Sequence, residues 1–256
     1  AGYADILVAG QGVERYEGML GFDWVTHYGS GAAADDDMQF RILPGEVPPP
    51  PQEANRDRYD LVEGLSGGNF NDILRGDNQA SVELLDIGPP NAPLPFNNAL
   101  NSQTQIDLIS GLSGLLDAGA TSFAGGNIIL GGGGNDLIEG RAGDDILDGD
   151  AFLRVQLEHN GIRYDSLAGL QAGALAGTVN PGNINIVREI VVAAGGNDRL
   201  DGGLGNDTMR GRAGNDTYVV DVVTDQTIEA LGEGTDTVES SLDWTLAQGN
   251  NIENLT

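Results

Sequence analysis

The stretches GGGGNDLIEGRAGDDILD at residues 131–148 and GGLGNDTMRGRAGNDTYV at 202–219 each divide into two nine-residue units of the form G-x-x-G-x-D-x-U-x, where U is a large apolar residue. The Gly-rich half reads as a turn, because glycine reaches positive φ without a Cβ clash and lets the backbone aim its carbonyls inward. Gly131, Gly134, Gly140, Gly143, Gly202, Gly205, Gly211 and Gly214 fill these turn positions. The x-U-x half reads as a short strand whose U side chain points into a shared core. Calcium takes roughly six to eight hard oxygen ligands, and a carboxylate at position six adds the charge that neutral carbonyls lack.

Counting by nines extends the array. Asp136 and Asp145 occupy position six of consecutive units, followed by Ile138 and Leu147; Asn127 precedes them in register with Ile129 as its apolar partner. Asp198, Asp207 and Asp216 are followed by Leu200, Met209 and Tyr218, and the next position in register is Asp225. Near the start, Asp5, Glu14 and Asp23 are followed by Leu7, Tyr16 and Val25. An isolated unit, GGNFNDILR at 67–75, supplies Asp72 but carries Phe70 where the second turn glycine belongs. Asn127 and Glu14 are expected to make weaker or altered sites than Asp.

This pattern resembles the RTX (repeats-in-toxin, haemolysin-type) calcium-binding nonapeptide repeat. The resemblance implies an all-β chain forming a parallel β-roll, an RTX solenoid with short helical and hairpin insertions, in which several Ca2+ ions sit between stacked turns. One turn uses two nonapeptides, so Asp198 and Asp216 are expected on one edge and Asp207 on the other. It also implies secretion to the extracellular space by the type I secretion machinery. The longer arrangement of inserts and repeats, with wording such as GRAGDDILDGDAFLRV and NPGNINIVREI, is similar to the C-terminal region of bacterial animal-type haem peroxidases carrying RTX repeats.

Composition fits a metal-dependent chain. Asp plus Glu number 39 against 12 Lys plus Arg, a formal charge of -27, with 40 Gly and only 39% hydrophobic residues in 256. Such a chain repels itself and buries little apolar surface, so folding without cations is weakly driven. The absence of cysteine excludes a disulfide framework and thiolate metal sites. The acidity argues against a nucleic-acid partner, and no apolar run is long enough for a membrane span. Because the array is already in register at Asp5, the chain is expected to be part of a longer polypeptide whose upstream domain is a partner of this region.

Non-repeat segments divide the chain. We expect a roll segment at 1–43, a proline-rich linker at 44–60 containing PGEVPPPP, a roll repeat at 61–77, and an insertion at 78–122. Roll repeats at 123–150, a second insertion at 151–193, further repeats at 194–220 and capping strands at 221–256 follow. In the first insertion Ile106, Ile109, Leu112, Leu115 and Leu116 have helical spacing. In the second, FLRVQLEHNGIRY suggests a hairpin turning at His-Asn-Gly, then a helix with Asp165 or Ser166 as N-cap and Leu167, Leu170, Ala174 and Leu175 on one face. Both insertions start after a Gly-Asp pair, ending in Asp77 and Asp150, which with Asp225 are further expected calcium ligands, and stop before Gly-Gly-Asn. One roll continuing across both insertions and separate short rolls joined by linkers both fit this placement. At the end, Thr235–Ser240 and Leu242–Leu246 alternate as strands covering the last turn.

Catalytic motifs are weak. Gly64-Leu65-Ser66-Gly67-Gly68 matches G-x-S-x-G, but a calcium repeat follows where a nucleophile elbow needs a helix. His27 and His159 are the only histidines and read as packed or solvent-facing, and Asp35-Asp36-Asp37 lacks EF-hand spacing and reads as a solvated loop. No catalytic or organic-cofactor residue is assigned, and the region itself is expected not to be an enzyme. Its expected role is calcium-triggered folding that supports export and stability of a larger extracellular protein. The alternatives are an adhesin or matrix-attachment module, or part of a secreted enzyme with catalysis elsewhere.

Overall fold

The computed structural model describes residues 4–10, 12–18, 21–40, 57–78, 99–246 and 251–256. The proline-rich stretch 44–51 and the stretch GPPNAPLPFNN at 88–98, which the sequence suggests is a loop, lie outside the described residues. Two parallel seven-stranded sheets dominate. In the first, Ile6–Val8, Trp24–Thr26, Gly64–Ser66, Ile128–Leu130, Ile146–Asp148, Thr208–Arg210 and Gln226–Ile228 lie side by side in chain order. In the second the order is Asp35–Asp37, Ile73–Arg75, Leu137–Ala142, Arg199–Leu204, Thr217–Val220, Thr237–Ser240 and Asn254–Leu255. The chain therefore passes back and forth between the sheets through the Gly-rich turns.

Register puts the apolar position of each unit in line. Leu7, Val25, Leu65, Ile129, Leu147, Met209 and Thr227 are successive partners in the first sheet. Leu74, Ile138, Leu200, Tyr218 and Val238 are successive partners in the second. From Val25 to Met209, and from Leu74 to Val238, these side chains are fully buried in one core. Each large one stabilises the fold by about 1.5–3 kcal/mol on burial. A parallel pair, Arg15–Glu17 with Arg58–Asp60, continues this core by setting Tyr16 against Tyr59, ring centroids 5.3 Å apart.

Both sheets run unbroken across the insertions. Leu65 pairs with Ile129 and Leu74 with Ile138 on the two sides of the first insertion; Ile138 pairs with Leu200 and Leu147 with Met209 on the two sides of the second. The Asp77 and Asp150 pairs mark where the chain leaves the stack, and the Gly-Gly-Asn triplets mark where it returns.

The two sheets differ on their outer faces, and the insertions explain why. Second-sheet strands such as Ile73–Arg75 are partly exposed on either side of a buried centre, whereas Ile128–Leu130 and Ile146–Asp148 are buried throughout. Ile128, Leu130, Ile146 and Trp24 form a second core with Leu100, Ile106, Ile109, Leu112, Leu115 and Leu116 of the first insertion and Ala151 and Leu153 of the second. The expected helix of the first insertion is only a short α-turn, Gln103–Ile106, followed by a 3-10 turn, Leu112–Gly114; Gly111 at φ 88° interrupts it. The five apolar residues still bury their side chains, because the i, i+3 spacing suits successive single turns as well as one helix.

The second insertion forms its hairpin, Ala151–His159 with Ile162–Tyr164, through Asn160 and Gly161 at φ 52° and 80°. The insertion is more than a hairpin and helix, because Asn185–Val192 adds a third strand antiparallel to Ala151–His159. Ser166 caps the helix Leu167–Leu175, accepting from the Gly169 N–H at 3.2 Å. Of the expected apolar face only Leu170 is buried; Leu167 and Leu175 are exposed. The insertion docks instead through its strands: Thr26 Oγ1 donates to Leu153 O at 2.8 Å, the Leu153 N–H donates to Ser66 Oγ at 2.9 Å, and Ser110 of the first insertion bridges Glu189.

Two more expectations are corrected. Asp35–Asp37 is a strand with Asp36 and Asp37 buried, because its backbone pairs with Ile73–Arg75. Leu242–Leu246 is not a strand: Thr237–Ser240 and Asn254–Leu255 extend the second sheet, while Trp244 and Leu246 pack on the end of the core.

Candidate metal centre

Position six places its residues in two rows, one along each edge of the stack. In the row preceding the second sheet, the backbone N–H of each residue donates to one carboxylate oxygen of the next. Asp72 donates to Asp136 Oδ1 at 2.7 Å, Asp136 to Asp198 at 2.8 Å, Asp198 to Asp216 at 2.7 Å, and Asp216 to Asp236 at 2.8 Å. The Asp236 N–H ends the row on Glu253 Oε2 at 2.8 Å. In the row preceding the first sheet, Asp77 donates to Asn127 Oδ1, Asn127 to Asp145, Asp145 to Asp207, and Asp207 to Asp225, at 3.0, 2.6, 2.8 and 3.2 Å. Toward the start, Asp5 donates to Asp23 at 2.6 Å and Asp23 to Glu63 at 2.8 Å. Asp198 and Asp216 thus share one edge, and Asp207 and Asp225 the other.

This arrangement uses one oxygen of each carboxylate. The other oxygen, Oδ2, is buried without a hydrogen-bond partner in Asp23, Asp136, Asp145, Asp198, Asp207 and Asp216. A buried carboxylate oxygen with no donor is costly unless a cation or a proton meets it. Burial accordingly pushes the acids up: Asp23, Asp136 and Asp207 to about 7, Asp198 to about 8, Asp216 to about 6, and Asp145 well above the ordinary carboxylate range.

The glycines serve two different needs. Position four requires a positive φ, 127° at Gly134, 124° at Gly143 and 150° at Gly205 and Gly214. At position one the need is space: a Cβ on Gly131, Gly140, Gly202 or Gly211 would come closer than 3.0 Å to the unpartnered Oδ2 of Asp136, Asp145, Asp207 or Asp216 of the same unit. The same hypothetical Cβ at Gly131 and Gly140 would overlap the carbonyls of Gly149 and Gly202. Position one is therefore where backbone carbonyls and free carboxylate oxygens converge. Hard oxygens gathered around uncompensated negative charge fit calcium.

Other expected residues are differently engaged. Asp72 Oδ2 accepts from the Gly68 N–H at 2.7 Å, and Asp225 Oδ2 from Val222 at 3.1 Å. Phe70 does not disrupt its turn, since Ile73–Arg75 pairs normally, but the Asp72 carboxylate is closed by this local bond. Both Asp150 oxygens accept backbone N–H groups, from Gly196 at 3.1 Å and Ala213 at 3.0 Å, so Asp150 pins the returning chain. Asn127 Oδ1 accepts from Asp77, Asp5 is exposed, and Glu14 accepts from Gly10 and from the Tyr16 hydroxyl.

Sequence reasoning missed several participants. Asp236 stands two residues late for strict periodicity, 20 after Asp216. With Asp216 and Glu229 it forms a buried group whose ligand atoms lie within 4.8 Å of one another. Burial drives Glu229 up to about 9. Position five carries its own ladder, since Asn135, Asn197, Asn215 and Thr235 donate in turn to Asn71, Asn135, Asn197 and Asn215 side chains at 2.7–3.0 Å. Arg141 and Arg212, at position two with φ 80° and 72°, reach back to Asp37 and Asp148 in two-pronged ion pairs of 2.6–2.7 Å.

The profile of the RTX calcium-binding nonapeptide repeat, four copies, matches residues 121–152 and 188–218. These are RTX calcium-binding repeats. The matched segments contain the units of Asn127, Asp136, Asp145, Asp198, Asp207 and Asp216, so the RTX repeats supply the central members of both rows. No curated protein and no solved structure matches the chain. Among the described residues, no helix is long and apolar enough to cross a membrane.

Proposed function

We propose that this RTX region is a calcium-dependent β-roll, secreted to the extracellular space, whose folding is completed by calcium and which stabilises and supports export of a larger polypeptide. The observation that carries it is the set of six buried carboxylates in two rows, each with one oxygen fixed by a backbone N–H of the preceding turn in its row and one oxygen unmatched. Asp136, Asp145, Asp198, Asp207 and Asp216 would hold calcium together with carbonyls of the Gly-rich turns. Bound calcium supplies the positive charge that the rows lack.

Extracellular calcium modules bind in the ~0.1–1 mM range, so cytosolic calcium leaves such a region unloaded and export loads it. The polypeptide would pass the type I secretion machinery before compaction, and any catalysis, for example by a haem peroxidase domain, would lie outside this region. Circular dichroism tests the reading: β-structure should be low in chelator, high in millimolar calcium, and little restored by magnesium, which demands near-octahedral geometry and resists dehydration. Equal spectra in chelator and calcium would overturn it.

A further inference from the structure

One buried polar cluster lies off the two long rows, beside a short one in which the Glu14 N–H donates to Asp57 Oδ1 at 2.7 Å. Asp36 sits directly opposite Leu74 in the second sheet, so a carboxylate occupies the register position that Leu74, Ile138, Leu200, Tyr218 and Val238 fill in later strands. Its side chain is 4% exposed and faces His27 Nε2, whose side chain is 8% exposed. Asp57 completes the group, and one ligand atom from each of the three lies within 4.8 Å of the others. His27 Nε2 and Asp36 Oδ2 are in direct contact as an ion pair and have no other hydrogen-bond partner, and the Tyr59 hydroxyl is buried beside Asp36.

Charge counting shows what is missing. One imidazolium cannot neutralise Asp36 and Asp57 together, and Glu14 contributes further negative charge through Tyr16, which contacts both Glu14 and Asp57. Asp72 adds its field at His27 from the next strand. The nearby guanidinium of Arg141 is committed to Asp37. Carboxylates buried with less than their compensating charge are strongly destabilising, and a divalent cation among them reverses the sign. An imidazole nitrogen with two carboxylate oxygens is a donor set for zinc-like ions and a poor one for calcium or magnesium, which select all-oxygen shells.

We propose that His27, Asp36 and Asp57 form a site for one divalent transition-metal ion of the zinc class, separate from the calcium array and placed inside the core at its N-terminal end. Such an ion would tie the strand Trp24–Thr26 of the first sheet to Asp35–Asp37 of the second, closing the core where the apolar ladder gives way to polar residues. His159, the only other histidine, accepts the Asn180 N–H at Nε2 and lies in the hairpin insertion.

The experiment titrates the untagged, calcium-saturated full chain with Zn2+ and with Co2+. One equivalent is expected to bind in excess calcium, with the visible absorption of four-coordinate Co2+. His27→Gln and Asp57→Asn should each weaken Zn2+ at least ~100-fold, beyond the roughly 10- to 100-fold that loss of an outer partner produces, while the calcium-induced gain of β-structure persists. If His27→Gln fails to fold, the zinc-edge absorption spectrum of the wild type still decides. One imidazole among oxygen ligands supports the site; a shell without imidazole, or no stoichiometric uptake, overturns it.

Discussion

Replacing Asp207 by Asn separates metal ligation from turn preference, because the structure assigns the two carboxylate oxygens different work. Oδ1 accepts the Asp145 N–H at 2.8 Å, and Oδ2 is buried without a partner beside Gly202. Asn keeps the Oδ1 acceptor and the side-chain shape, and loses the charge. In chelator at pH 8, where burial penalises an ionised Asp207 whose pKa is pushed up to about 7, the variant should therefore be as stable as the parent or more so. In calcium the sign reverses. A site held at ten times its Kd contributes about 1.4 kcal/mol, so losing one site's contribution should move the calcium midpoint upward by up to roughly tenfold. The two stacked neighbours differ, since Asp145 Oδ2 is also unmatched while Asp225 Oδ2 is already bonded locally; the loss should therefore couple mainly to Asp145 and lower cooperativity. Asp243→Asn makes the same chemical change at an exposed residue outside the sheets and should leave the midpoint unchanged. Calorimetric titration with calcium, paired with thermal melts in chelator, reads both signs. Equal effects of the two substitutions, or a loss of metal-free stability in Asp207→Asn alone, would refute the reasoning.

Acidity should act oppositely on the metal-free and calcium-loaded forms. A carboxyl whose folded pKa exceeds its unfolded value favours the fold while protonated; for Asp136, Asp207 and Asp198 that contribution is full below the ordinary 3.8 and lost as pH rises through about 7 to 8. In chelator, β-structure should thus increase from pH 8.5 to 5, and calcium affinity should fall across the same window as protons compete; a circular dichroism pH series in which metal-free β-structure decreases on acidification would contradict this. Gly205→Ala combines a φ of 150° with a Cβ closer than 3.0 Å to the Gly143 carbonyl and should cost about 1–3 kcal/mol or more in thermal melts, whereas Gly114→Ala, with open space around it, should be near neutral. Excising residues 151–192 should retain the calcium transition, because the inner ladder does not use them. It should still lower stability by about 1.5–3 kcal/mol, because Leu153 leaves the second core while the first insertion stays in place, and an unchanged melting temperature would show that the outer core is not cohesive.

How much of this was readable from the chain depends on how strictly each segment keeps the period of nine. Where Gly, Asp and an apolar residue recur at fixed offsets, as from Gly131 to Asp148 and Gly202 to Val219, local turn chemistry, strand position and side-chain direction agree, and the ladder from Ile129 to Tyr218 follows. Asp236 escaped because two additional residues break the count after Asp225, and Glu229 escaped because it stands at position one, where the other units carry a turn glycine. Asp36 escaped for a different reason: a unit with a carboxylate at the apolar position resembles a polar loop, and only strand pairing with Leu74 reveals its burial. The third insertion strand, Asn185–Val192, carried a β-branched, alternating signal in NINIVREIVV that a helix-and-hairpin reading overlooked. The helical spacing from Ile106 to Leu116 located buried residues correctly but not their backbone, since Gly111 adopts positive φ and tertiary packing against Ile128 and Leu130 tolerates two short turns.

Crystals grown in millimolar calcium, with anomalous difference density measured at a wavelength where calcium scatters, test the central claim most directly. Ions are expected within about 2.3–2.6 Å of Oδ2 in Asp136, Asp145, Asp198, Asp207 and Asp216, alongside carbonyls of the Gly-rich turns. Density confined to exposed acidic side chains, with those five oxygens bonded to protein donors instead, would contradict it.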